Sequence, residues 1–220
     1  MKFISAEELI PHFRGKTVAV VGSAPSCEQN APRLIDSHDV VVRISNYKTG
    51  PGQGHRCDVF YSFFGTSIRK TPTELKADGV KLCISKVPNS KPLQCDWHER
   101  TNRQVGIDYR YIYRNRQSWW FCDTYIPDDQ AYLKKFYLLD RHIPTTGFAA
   151  ILDVIACDPS SVFLTGFDFF TSGLHNVNEP WKPGNPEDPI CHRPDLEREW
   201  LRKNFKSYPI TCDAKLAQML

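Results

Sequence analysis

Apolar positions along the chain fall into two kinds of pattern. Short unbroken runs form the first: Thr17-Val18-Ala19-Val20-Val21-Gly22, Asp39-Val40-Val41-Val42-Arg43-Ile44, Asp58-Val59-Phe60-Tyr61-Ser62-Phe63, Val80-Lys81-Leu82-Cys83-Ile84 and, much later, Ser161-Val162-Phe163-Leu164-Thr165-Gly166. A brief run that is apolar on both faces predicts a strand covered from both sides, as in a parallel sheet. In the second pattern the period lengthens. Tyr132, Leu133, Phe136 and Leu139 within 128–140, Phe148, Ile151, Leu152 and Ile155 within 148–155, and Leu196, Trp200, Leu201 and Phe205 within 195–205 recur every three to four positions. That spacing predicts three amphipathic helices. Strands followed by helices predict an α/β sheet. From 171 to 189 glycine, proline and asparagine accumulate without a period, which predicts a loop able to order over a ligand.

Composition narrows the picture. The 220 residues, 41% of them hydrophobic, suffice for one substantial core, and 1–220 reads as a single domain. A net charge of +3, with Lys and Arg interspersed among Asp and Glu, gives no sign of a nucleic-acid partner and suits an acidic small molecule equally well. Glu7, Glu8, Pro11, His12 and Arg14 stand where a signal peptide would be apolar, and no stretch approaches the roughly 20 apolar residues of a membrane span, so a cytoplasmic location is expected. The eight cysteines are scattered singly without a Cys-x-x-Cys pair, which predicts reduced, mostly buried thiols.

Three segments carry candidate chemistry. Gly22-Ser23-Ala24-Pro25-Ser26 follows a strand and offers backbone N–H groups and small hydroxyls to a nucleotide, although many strand-to-helix turns have this composition. Pro144-Thr145-Thr146-Gly147 stands where a helix begins, as a phosphate site or as an ordinary N-cap. His175 and His192 flank the glycine- and proline-rich stretch, and imidazole is the natural general base near neutral pH. Glu197 could hold the other nitrogen of His192 or simply start the following helix.

In that order, these segments resemble the four sialylmotifs of the animal-type sialyltransferase family. Ala19-Val20-Val21-Gly22-Ser23, Ile35-Asp36-Ser37-His38-Asp39 and Arg43-Ile44-Ser45-Asn46 are similar to its long motif, with complete agreement from Ile35 to Asp39. Pro144-Thr145-Thr146-Gly147 and Thr165-Gly166-Phe167 are similar to the short motif, His175 to the start of the third, and His192 with Glu197 to the last. The resemblance implies a single Rossmann-like catalytic domain of the GT-A-variant sialyltransferase fold, with a mostly parallel central sheet flanked by helices. It implies inverting transfer of sialic acid from a CMP-sugar donor to a hydroxyl of a glycan or glycolipid acceptor. Gly22, Ser23, Ser45 or Asn46, Thr145, Thr146, Gly147 and Gly166 would surround the CMP moiety, His175 would approach its phosphate and His192 would be the base, supported by Glu197. No metal and no cofactor beyond the donor is implied.

Three departures accompany the resemblance. Ser23 replaces an asparagine, so one nucleotide hydrogen bond is remade or lost; Val18 replaces the long-motif cysteine, so the family's disulfide to the position of Cys157 cannot form; and His175 is followed by Asn176 and Val177 instead of aromatic residues. On the acceptor side, Tyr109, Tyr111, Tyr113, Trp119 and Trp120 lie among five arginines within 97–125, a setting for sugar stacking or an ordinary half-buried strand. A CMP-Kdo transferase and a non-catalytic CMP-sugar binding module remain as alternatives, and a lipid-linked acceptor would entail peripheral membrane contact. A nicotinamide-dependent oxidoreductase is disfavoured, since the glycine fingerprint is missing and only Asp39 stands near the place of its ribose-binding acid.

Overall fold

A computed structural model describes residues 2–31, 33–64, 68–88, 121–175, 179–180 and 192–220. The strands are β1 (Phe3–Ile4), β2 (Thr17–Val21), β3 (Val40–Ile44), β4 (Val59–Ser62), β5 (Leu82–Ser85), β6 (Asp123–Tyr125), β7 (Ser161–Thr165), β8 (Leu174–His175), β9 (Glu179–Pro180) and β10 (Ile210–Cys212). Eight of them form one sheet in the order β1-β6-β5-β4-β3-β2-β7-β10, every neighbouring pair parallel. The five apolar runs are its centre. Val18, Ala19, Val20, Val41, Val42, Val162 and Leu164 have no exposed surface, as strands covered on both faces require.

Among the described residues the helices are α1 (Ala6–Leu9), α2 (Pro72–Ala77), α3 (Asp129–Leu138), α4 (Thr146–Ile155), α5 (Pro194–Asn204) and α6 (Ala214–Ala217). Their starts follow local chemistry. The Asp128 side chain caps α3 by accepting from Ala131 N. Pro194 occupies the first turn of α5, with Asp195 and Glu197 beside it and Arg202 and Lys203 in the last turn, in accord with the helix dipole. α4 turns Phe148, Ala149, Ala150, Ile151 and Val154 inward and packs over β3 and β4. Its orientation is fixed by Asp153, whose carboxylate takes Lys135 Nζ of α3 and the Tyr61 hydroxyl of β4, the latter at 2.6 Å.

The structure departs from the sequence pattern at the edges. β1, β6 and β10 are only two to three residues long, too short for a period to register, and exist because a longer neighbour supplies the hydrogen bonds. Within the stretch expected to be irregular, Leu174–His175 pairs antiparallel with Glu179–Pro180. The aromatic segment containing Tyr109–Tyr113 lies outside the described residues. Among the described residues no helix is long and apolar enough to cross a membrane. Cys27, Cys57, Cys83, Cys122, Cys157 and Cys212 are free thiols, and Cys157 and Val18 both lie in the core.

The segment of most complete resemblance, Ile35 to Asp39, is scaffold. Asp36 accepts the N–H groups of His55 and Arg56, while Asp39 accepts from the backbone and hydroxyl of Thr17 at the start of β2. Asp39 therefore sits at the amino end of the strands, where it cannot serve a nucleotide at their carboxyl end, and the dinucleotide reading lapses. Arg43 is wholly buried in β3 and donates to the carbonyls of Arg56 (2.6 Å), Gln53 (2.7 Å) and Lys48 (3.3 Å). A guanidinium with its planar fork can satisfy several loop carbonyls at once, and no apolar residue can. Arg43→Met leaves those carbonyls buried and unpaired. The expected cost is about 3 kcal/mol in urea unfolding; a loss below about 1 kcal/mol would show that the 46–57 loop holds without it.

Candidate active site

The sheet changes direction at β2. From there β3, β4, β5 and β6 follow on one side, while the chain returns to lay β7 on the other. Such a reversal opens a crevice at the carboxyl ends of the two strands, where connections diverge to opposite faces. Here it lies between Gly22 and Gly166. The two glycines face each other so closely that a Cβ on Gly22 would stand 2.2 Å from the Gly166 carbonyl oxygen. Gly166 also has a left-handed φ of +74°, and Asp213 holds it there by accepting from its N–H and from the Thr165 hydroxyl.

A cavity of about 310 Å³ opens at this edge. Of the residues singled out in the sequence, Gly22, Ser23, Ser45, Thr145, Thr146, Gly147, Gly166, His192 and Glu197 all line it, although they come from five separate segments. Asn46 does not: its Oδ1 accepts from Arg69 N at 2.6 Å. The chain turns away because Ser45, immediately after β3, adopts a left-handed φ of +52°. A non-glycine residue held there is strained by about 1 kcal/mol, a conformation found preferentially at ligand sites. His175 lies in β8 opposite Glu179, and its side chain is outside what the structure describes.

The wall opposite the glycines is the start of α4. Thr145 caps it, its hydroxyl accepting from Phe148 N at 3.1 Å. In a capping box the N-cap's own N–H would find a carboxylate three residues on, but Phe148 stands there. The carboxylate comes instead from α5: Glu197 accepts the Thr145 N–H at 2.6 Å and its hydroxyl at 2.7 Å. Thr146 and Gly147, the first helical residues, have no acceptor within the helix and border the cavity at its positive end. Gly147 is needed for close packing, since a Cβ would meet the Phe167 ring at 2.8 Å.

His192 precedes α5. Its Nδ1 lies 2.8 Å from the Ile143 carbonyl oxygen. With the proton on Nδ1 donated there, Nε2 carries the lone pair, which is the tautomer a general base needs. Of the two roles open to Glu197 in the sequence, neither is the one observed: it holds the start of α4 instead of α5, and a backbone carbonyl orients the imidazole. Among the described residues no three His, Cys, Asp or Glu side chains are grouped to hold a metal.

Two further lining residues escaped the sequence pattern. Asp168 binds the N–H groups of Phe170 and Ser172 and shapes the turn of Phe169 and Phe170, both at left-handed φ and both lining the cavity. Lys86, just beyond β5, is 5% exposed and donates to the Pro144 carbonyl at 3.0 Å. A lysine two residues after the apolar run at 82–84 was the available signal.

No protein-family model matches the chain, and no curated protein does. Its fold is nonetheless that of known sialyltransferases. It superposes on the sialyltransferase CstII from Campylobacter jejuni in complex with cytidine-5'-monophosphate with a TM-score of 0.58 and 16% identity, over 94% of this chain and 84% of that one. For the monofunctional alpha-2,3-sialyltransferase Cst-I from the same organism the values are 0.57, 16%, 100% and 82%. For a mammalian sialyltransferase in complex with Gal-beta-1-3GalNAc-ortho-nitrophenol they are 0.56, 18%, 90% and 69%.

Burial dominates the electrostatics beneath the cavity. It pushes the Glu197 carboxyl up to about 7, against the opposing pull of the Thr145 hydrogen bonds and the Lys86 charge. It likewise pushes the Lys86 ammonium down to about 8, with Glu197 acting in the other direction. Folded Glu197 thus keeps a proton up to about pH 7 that it would release near 4.5 when unfolded. The folded state binds the extra proton between those values, so stability falls as pH rises from about 4.5 to 7. In Glu197→Gln this slope disappears, and the wild-type minus variant difference changes by on the order of 1–3 kcal/mol between pH 5 and 7.5. Parallel urea-stability profiles would show that Glu197 titrates as an ordinary carboxylate.

Proposed function

We propose that the protein is a sialyltransferase-like enzyme: an inverting transfer of sialic acid from CMP-sialic acid to a hydroxyl of a glycan acceptor, with His192 as base. The observation that carries this reading is the meeting, in one cavity, of an imidazole whose Nδ1 faces a carbonyl and a helix start whose first two residues, Thr146 and Gly147, line the cavity. The first suits an acceptor hydroxyl, the second a phosphate. The CMP complex of a protein with the same fold supports the nucleotide, and another CstII structure with CMP-3FNeuAc supports sialic acid over Kdo.

In this reaction the bond from the anomeric carbon to the phosphate oxygen breaks, and CMP leaves with the electron pair. The acceptor oxygen bonds to the opposite face of the same carbon while its proton passes to His192 Nε2, so the configuration inverts. Negative charge grows on the departing phosphate as oxocarbenium character develops in the sugar. Groups that meet that charge, here the Thr146 and Gly147 N–H groups at the positive end of α4, lower the barrier because they are already oriented. Gly22, Ser23, Ser45 and Gly166 form the edge for the nucleoside, and His175 would approach the phosphate. Protein donors carry the charge in this scheme, so it requires no metal.

With CMP-sialic acid and a galactoside acceptor, His192→Ala is expected to lose about 10²–10⁴-fold in kcat. Its Kd for CMP should stay within a few-fold of wild type, with wild-type turnover unchanged in EDTA. Wild-type turnover that survives in the variant within tenfold would remove His192 as base. CMP binding without turnover of either CMP-sialic acid or CMP-Kdo across an acceptor panel would favour a binding module.

A further inference from the structure

Resting on the donor reading above, we propose that Lys86 is a specificity-determining residue whose ammonium contacts an anionic group of the bound CMP-sugar, its phosphate or its carboxylate. The charged side chains among the described lining residues lead to it. Lys86 is the one Lys or Arg among the described lining residues, beside an Asp168 that accepts two backbone N–H groups and a Glu197 whose proton burial retains up to about pH 7. The proposed donor has two anionic groups, a phosphodiester and a carboxylate. Two anionic groups entering a desolvated cavity call for a cation within reach, and among the described lining residues Lys86 carries it.

Geometry gives Lys86 that reach. It follows β5, yet its Nζ extends to the carbonyl of Pro144, the residue before the Thr145 cap. The ammonium therefore stands beside the half-buried start of α4, where Thr146 and Gly147 line the same cavity. An ammonium has three protons to donate. Pro144 O takes one, and the Phe63 ring, 5.6 Å away, offers a face to the cation without accepting a proton in line. Glu197 approaches no nitrogen of Lys86 within 4.0 Å, because both of its oxygens are held by Thr145. A buried ammonium with spare donors at a helix start is a built anion site, since a desolvated charge gains most from an ionic partner. The shift of Lys86 to about 8 agrees with a cation that lacks such a partner in the protein alone.

A purely structural lysine, serving only to tie Pro144 to β5, makes a different prediction. Lys86→Gln keeps a donor for the Pro144 carbonyl while removing the charge, and Lys86→Met removes both. Calorimetric Kd values for cytidine, CMP and CMP-3FNeuAc separate the cases. The expected result for Lys86→Gln is cytidine binding within about twofold of wild type and at least about tenfold weaker binding of the anionic ligand. Loss already at CMP assigns the contact to the phosphate; loss only at CMP-3FNeuAc assigns it to the carboxylate. Equal weakening of all three ligands, or weakening of none, overturns the inference while leaving the donor reading intact. Wild type that binds neither CMP nor its sugar ester overturns the donor reading itself, and this inference with it. Wild type labelled with ¹³C at lysine Cε keeps the test independent of how the variants fold. The Lys86 resonance, assigned by its absence from Lys86→Arg, should shift with CMP or CMP-3FNeuAc and not with cytidine. A resonance unmoved by both anionic ligands overturns the proposal.

Discussion

Everything at the functional edge depends on the contact between Gly22 and Gly166. Adjacent parallel strands leave no room for side chains pointing toward one another in the plane of the sheet, and here β2 and β7 end with their backbones at each other's Cβ positions. The absence of side chains at both points lets the Phe167 ring slide beneath Gly147. That brings the start of α4 down to the strand ends and forms the cavity between them. The Asp213 and Thr165 hydrogen bonds fix Gly166 from behind, while Asn30 donates to the Thr165 hydroxyl from the β2 side. A conformational freedom specific to glycine thus becomes a rigid floor.

Above that floor, the same residues that hold the fold set the chemistry. Glu197 belongs to α5, Thr145 caps α4, and Lys86 follows β5, so one small polar cluster ties three elements together under the cavity. Replacing such a buried cluster by apolar side chains is often neutral or stabilising, and breaking it by removal of one member is costly. Its value here lies in register: the two hydrogen bonds to Thr145 fix where α4 begins relative to α5. They thereby fix the distance between the helix start and His192, two parts of the proposed reaction carried by different elements.

The central strands were legible because burial on both faces leaves an unbroken apolar run, and the three helices because one buried face leaves a period. β1 and β10 were not, since two or three residues carry no period. The site was legible as a set of segments and less so as a set of contacts. Glu197 was found by its spacing from His192, but its partner is Thr145, 52 residues away, and no local pattern encodes that pairing. The choice between Ser45 and Asn46 turned on a single left-handed residue. Lys86 was missed for a chemical reason: lysine after an apolar run ordinarily marks the return to solvent, and here the side chain turns inward to a carbonyl.

The role of Ile35 to Asp39 bears on what a shared motif can mean. Asp36 and Asp39 hold backbone, and Arg43 gathers loop carbonyls, so selection on these positions acts through whether the polypeptide folds. A descendant that had lost transferase activity but still needed its shape would preserve them as faithfully as a working enzyme. Resemblance in this stretch therefore speaks for the scaffold alone. Evidence of catalysis has to come from positions whose loss would leave the scaffold standing.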